Sequence, residues 1–122
     1  MGDSRIDRMV AEARTRLDRV EPADLAAEVE AGALVVDIRP EHNRRDEGTI
    51  PGALVIDRNV LEWRLDPTSG HHLPEAEHGR RVILVCNEGY ASSLAATTLQ
   101  DLGLANATDL VGGYRSWRAR QG

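Results

Sequence analysis

"VILVCNEGYASS", residues 82–93, contains the chain's single cysteine. Val82-Ile83-Leu84-Val85 is an unbroken apolar, β-branched run, the pattern of a strand buried on both faces. Leu94, Ala95, Thr98, Leu99 and Leu102 then recur at helical spacing as far as Gly103, a helix stop. Cys86 therefore falls at the carboxyl end of a strand, in a loop leading to a helix that starts near Ser92 or Ser93. In open α/β sheets, ligands sit at this end of the strands. The amides of residues 87–92 and the first helical turn would face the sulfur, and such a nest stabilises an anion. Gly89 lets the backbone curl where a Cβ would clash. From these residues alone two readings stay open. Cys86 is a small buried hydrophobe, the usual fate of a free cysteine, or it carries a thiolate or persulfide anion. No His or second Cys stands at metal-ligand spacing around it, so a zinc site is not expected.

Working outward, Ile6, Met9, Val10, Ala13, Leu17 and Val20 give an amphipathic helix over residues 4–18. Pro22 suits the first turn of a second helix, with Leu25, Ala26 and Val29 as its stripe and Gly32 as its stop. Leu34-Val35-Val36 reads as a buried strand, and Pro51-Gly52 as a turn before a strand over Ala53–Ile56. A short helix is predicted from Asn59 to Leu65, and loop from Asp66 to Gly79. A weaker strand over Thr108–Val111 follows. Gly112-Gly113 opens a last helix, with Trp117 as its expected core anchor. Short apolar strands alternating with helices predict a parallel sheet covered on both faces, an α/β sandwich.

The 122 residues suit one domain, preceded here by a helical extension over residues 1–19, with the domain at 20–122. One cysteine excludes an internal disulfide and suits a reducing, cytoplasmic setting. No basic start with an apolar stretch is present, so no secretory signal is expected. No apolar run approaches the ~20 residues of a membrane span. The net charge of −5 argues against non-specific nucleic-acid binding. All 15 basic residues are Arg, which removes Schiff-base and P-loop lysine chemistry.

Three stretches together resemble the rhodanese-like family of sulfurtransferases. "VVDIR" (35–39), followed by "GTIPGALVI" (48–56), is similar to the family's Asp-x-Arg strand end and its Gly-His-Ile-Pro-Gly-Ala segment. "VILVCNEGYASS" is similar to its active-site loop, and "LVGGYRSW" (110–117) to its Gly-Gly-x-x-x-Trp signature. The resemblance covers roughly residues 20–120. It implies a five-stranded parallel sheet, with a short first strand near Val20. It also implies that Cys86 takes a sulfane sulfur from a donor such as thiosulfate and passes it, as a persulfide, to a thiol or cyanide. A protein donor or acceptor is a further expectation. So is the alternative of a non-catalytic sulfur carrier or regulatory binding module.

The resemblance makes Asn87, Glu88, Gly89, Tyr90, Ala91 and Ser92 the substrate-binding loop. Asp37 is expected to brace neighbouring loops, and Arg39 to form a structural salt bridge or to reach the site. Relatives with phosphatase activity place Arg six residues after the cysteine, where this chain has Ser92. Many members place Arg five residues after it, where this chain has Ala91, and Thr49 replaces the common His. Arg58 or Arg64 is then a candidate replacement cation, against the plainer reading of surface arginines. Tyr90 is expected to wall the pocket or cover the loop, and Glu88 to point to solvent. His71, His72 and His78 are read as solvated loop residues, and Ser92 and Ser93 as helix N-caps.

Overall fold

The computed structural model describes residues 4–121. Strands β1 (Leu34–Asp37), β2 (Leu54–Val55), β3 (Val82–Val85) and β4 (Ala107–Asp109) form one parallel sheet in the order β2-β1-β3-β4. Asp37 pairs with Val85, and Leu84 with Asp109. Strands β1, β3 and β4 thus end nearly level, and their carboxyl ends bring Asp37, Cys86 and Asp109 to one edge of the sheet.

Alternate side chains feed two cores, as strand periodicity requires. Val36, Val82 and Leu84 pack with Leu61 and Leu65 of α4 (Leu61–Leu65) and with Ala95, Ala96 and Leu99 of α5 (Ala91–Asp101). Val35, Ile83 and Val85 pack with Leu25 of α2 (Leu25–Glu30) and Tyr114 of α6 (Gly113–Arg120). Burying both faces explains why the strands read as continuous apolar runs instead of alternating ones. The helix α1 (Arg5–Arg14) packs on α5 through Val10 and Ala13, leaving Ile6 and Met9 more than half exposed. No described helix is long and apolar enough to cross a membrane.

Four expectations need correcting. The sheet has four strands and not five. Val20 makes one isolated parallel bridge to Leu110, because Pro22 has no N–H to extend the ladder and begins a 3₁₀ turn. An unpredicted helix, α3 (Glu41–Glu47), follows β1; it buries no residue, so its sequence has no apolar stripe to reveal it. Ser92 and Ser93 do not cap α5, which begins one residue earlier, at Ala91. The core anchor of α6 is Tyr114, 2% exposed, while Trp117 packs beside it only partly buried.

Candidate active site

Cys86 is buried at 8% exposure where β3 ends. Its Sγ accepts the backbone N–H groups of Gly89 at 3.2 Å and Ser92 at 3.3 Å. The loop is curled into this shape from outside. The first amides of α6 hold its leading carbonyls: Tyr114 N–H donates to Cys86 O at 2.9 Å and Arg115 N–H to Asn87 O at 3.1 Å. Two guanidiniums hold the next one: Arg14 Nη2 lies 2.7 Å and Arg19 Nη2 3.0 Å from Gly89 O. With carbonyls turned outward, the amides face the other way. The N–H groups of Glu88, Tyr90 and Ala91 find no acceptor among the described residues.

Two glycines make this contact possible. Gly89 has φ +87°, and a Cβ there would lie 2.8 Å from Gly112 N. Gly113 has φ +64°, and its Cβ would lie 2.5 Å from Cys86 O. Both conformations disfavour L side chains. The Gly-Gly pair is thus the surface on which the cysteine loop rests.

A second layer fixes the loop's flanks. Arg39 and Asp37 form a buried ion pair, with Arg39 Nη2 2.8 Å from Asp37 Oδ2. The same guanidinium donates to Gly48 O at 2.8 Å and Asn87 Oδ1 at 3.3 Å, and stacks 4.0 Å from the centre of the Tyr114 ring. Asn87 in turn donates to Glu47 Oε2 at 3.3 Å. The Arg115 guanidinium bonded to Glu47, helped by Asn43 and Asn87, holds this carboxyl down at about 2, against an ordinary 4.5. Behind the sulfur, the Cys86 thiol donates to Ser92 Oγ at 3.2 Å. Ser92 and Ser93 hydroxyls donate to Asp109 Oδ2 at 2.7 and 2.8 Å, and Arg19 pairs with Asp109 Oδ1 at 2.8 Å.

An open pocket of about 410 Å³ lies over the sulfur, lined by Ile38, Arg39, Pro40, Arg58, Cys86, Asn87, Glu88, Tyr90 and Ala91. Of the residues singled out from sequence, Arg58 stands at this pocket, but its Nη1 lies 2.9 Å from both carboxylate oxygens of Glu62. Arg64 is not brought to it; its guanidinium donates to the His71 carbonyl. Glu88 lines the pocket while its exposed carboxylate pairs with Arg115 at 3.2 Å. Tyr90 is a half-exposed wall. Gly89 and Ser92 are buried behind the sulfur and act through their amides. Among the described residues no cluster of His, Cys, Asp or Glu could hold a metal ion.

Sequence reasoning missed Arg14, Arg19, Glu47, Asp109 and Arg115. None carries a local signal, since each reaches the loop or its braces from a distant element.

A model of the rhodanese-like domain matches residues 21–120. The chain belongs to the rhodanese-like domain family. It is 31% identical over 104 residues to the thiosulfate sulfurtransferase GlpE of Stutzerimonas stutzeri, covering 85% of this chain and 87% of GlpE. Maize adenylyltransferase and sulfurtransferase MOCS3-2 is 33% identical over 84 residues, 69% of this chain but 17% of the maize protein. The chain therefore spans under a fifth of that relative. A solved Rhodopseudomonas palustris protein of unknown function, described as a possible tyrosine phosphatase, superposes with a TM-score of 0.87 at 32% identity. The match covers 98% of this chain and 93% of that one. The family match and the GlpE and MOCS3-2 likenesses place the chain among sulfurtransferase relatives.

Proposed function

We propose that this protein is a sulfurtransferase that carries a sulfane sulfur on Cys86, taken from a donor such as thiosulfate and passed to a thiol or cyanide. The observation that carries this reading is the sulfur's setting. Two amides point at Sγ, and three unpaired amides line or flank the open pocket above it. Preorganised N–H groups stabilise charge without reorganising when it moves. Cys86 thiolate attacks the sulfane sulfur of thiosulfate; the new S–S bond forms as the S–S bond to sulfite breaks, and sulfite leaves with the electron pair. The acceptor then attacks the outer sulfur and releases Cys86 thiolate. No metal or organic cofactor enters either step. Asn87, Glu88, Tyr90 and Ala91 form the donor's surroundings, with Arg58 at the rim and Asp37 and Arg39 as braces. The composition suits a cytoplasmic setting.

Intact-mass spectrometry after exposure to a panel of sulfur donors tests this. One added sulfur on the wild type, absent from Cys86→Ser, is the expected result. No added sulfur and no thiosulfate:cyanide turnover with any donor would overturn it.

A carrier or regulatory module is the second reading. It is favoured by the pocket's charged side chains, each already paired: Arg39 with Asp37, Arg58 with Glu62, Glu88 with Arg115. Such a module would accept sulfur only from a partner protein. The phosphatase description attached to the R. palustris relative fits less well. The loop arginine such chemistry uses to clamp an oxyanion is replaced by Ser92, buried and bonded to Asp109.

A further inference from the structure

Five arginines touch the cysteine loop or its pocket: Arg14, Arg19, Arg39, Arg58 and Arg115. Four of them spend their charge on carboxylates: Asp109, Asp37, Glu62, and the pair Glu47 and Glu88. Arg14 differs. Its Nη2 donates to Gly89 O at 2.7 Å, its Nε donates to Ser93 Oγ at 3.1 Å, and its guanidinium carbon lies 5.3 Å from the centre of the Tyr90 ring. None of these partners is anionic, so among the described residues Arg14 has no carboxylate paired with it where the loop turns.

Arg14 comes from the last turn of α1, 75 residues away in sequence from Gly89. That helix lies outside the stretch matched by the family model, which begins at residue 21. The R. palustris structure covers 98% of this chain, which leaves no room to omit the ten residues of α1. The extension is therefore a shared part of this architecture.

We infer that Arg14 is a positioning residue of the Cys86 loop, and that the N-terminal helix supplies from outside the cation that Ala91 leaves out of the loop. The physical route is the Gly89–Tyr90 peptide. Arg14 and Arg19 both donate to Gly89 O and fix the plane of this peptide; Arg19 is paired with Asp109, so it is Arg14 whose charge polarises it further. The Tyr90 N–H, anti to that carbonyl, faces away from the guanidinium and has no acceptor among the described residues. An anion in the pocket meets a stiffened, polarised amide backed by a full positive charge. This deepens the sulfurtransferase reading only in supposing that the loop receives an anion.

Alkylation of the single cysteine tests it without any sulfur donor, so sulfur transfer can fail while this result stands. Iodoacetate and iodoacetamide are close in size and differ in charge. Arg14→Gln should lower the ratio of iodoacetate to iodoacetamide rates by about three- to tenfold, the effect of one cation at short range. Arg14→Lys, which keeps the charge, should stay within twofold of wild type. Arg16→Gln, in the turn just after α1 and paired with exposed Asp101, should leave the ratio unchanged. A purely structural role would slow or speed both reagents together and leave the ratio fixed. The inference is overturned by a wild-type ratio in Arg14→Gln, whatever its melting temperature. It is overturned equally if Arg14→Lys loses the ratio as fully as Arg14→Gln, or if Arg16→Gln moves it as far.

Discussion

Arg39→Met should be the most damaging single change among the loop's braces. The Arg39 side chain is 0% exposed and its partner Asp37 is 2% exposed. Met keeps the length and apolar stem but removes the charge, and Asp37 is left buried with only the Arg39 backbone N–H, at 2.9 Å. Stranding one member of a buried pair costs about 3–5 kcal/mol. Gly48 O and Asn87 Oδ1 lose a donor as well, and Tyr114 loses its stacked cation. Against a total stability of roughly 5–15 kcal/mol and a urea slope of about 1–3 kcal/mol per molar, the midpoint should fall by about 2 M. The double variant Asp37→Leu/Arg39→Met removes both charges. It should recover about 2 kcal/mol or more of that loss, because an apolar pair of similar volume has no desolvation cost. Urea unfolding of wild type, both singles and the double closes the cycle. Cys86 alkylation should stay slow even in the double, since the link from Arg39 to Asn87 is gone in both. A double variant no more stable than Arg39→Met would refute the buried-charge argument.

Three further outcomes are expected. Gly113→Ala should lower stability by about 1–2 kcal/mol for its left-handed backbone alone. Its Cβ, 2.5 Å from Cys86 O, must also displace the loop, so alkylation of Cys86 should slow at least tenfold; a wild-type rate would contradict the packing described. The Glu47 carboxyl is held at about 2, below its ordinary 4.5, so its contribution is full above pH 4.5 and disappears as pH falls toward 2. Urea midpoints measured from pH 5 to pH 2 should therefore fall more steeply in wild type than in Glu47→Gln, and parallel curves would refute this. Ala91→Arg puts a guanidinium on the pocket wall formed by Ile38, Pro40, Tyr90 and Ala91; it should lower KM for thiosulfate by about tenfold, a gain in charge-assisted binding, and an unchanged or higher KM would speak against a charge-poor pocket.

The local features of this chain were legible without coordinates because their causes are local. An apolar β-branched run made β3, helical spacing made α5, and Pro and Gly marked turns. The stretches with "DIR", "IPGA" and "GGYRSW" identified the family by their order along the chain. Where a local cause was missing, the reading failed. The helix α3 has no buried residue and no stripe. The strand expected near Val20 shrank to one bridge because Pro22 cannot continue a ladder.

The loop's electrostatics lay beyond the sequence for a different reason. Ser92 and Ser93 look like helix caps until the order β3-β4 sets Asp109 beside them, after which both hydroxyls have a buried carboxylate to reach. Arg58, with Arg64 a candidate replacement cation, lines the pocket but is paired with Glu62, a contact that sequence alone did not reveal. Arg14 gave no sign at all, because its place over Gly89 depends on α1 docking against α5. Sequence determined that Cys86 would end a buried strand and enter a glycine-bearing loop. Tertiary structure decided which charges around that loop are paired among the described residues and that Arg14 is not, because charge pairing depends on distances that only the packed sheet and helices set.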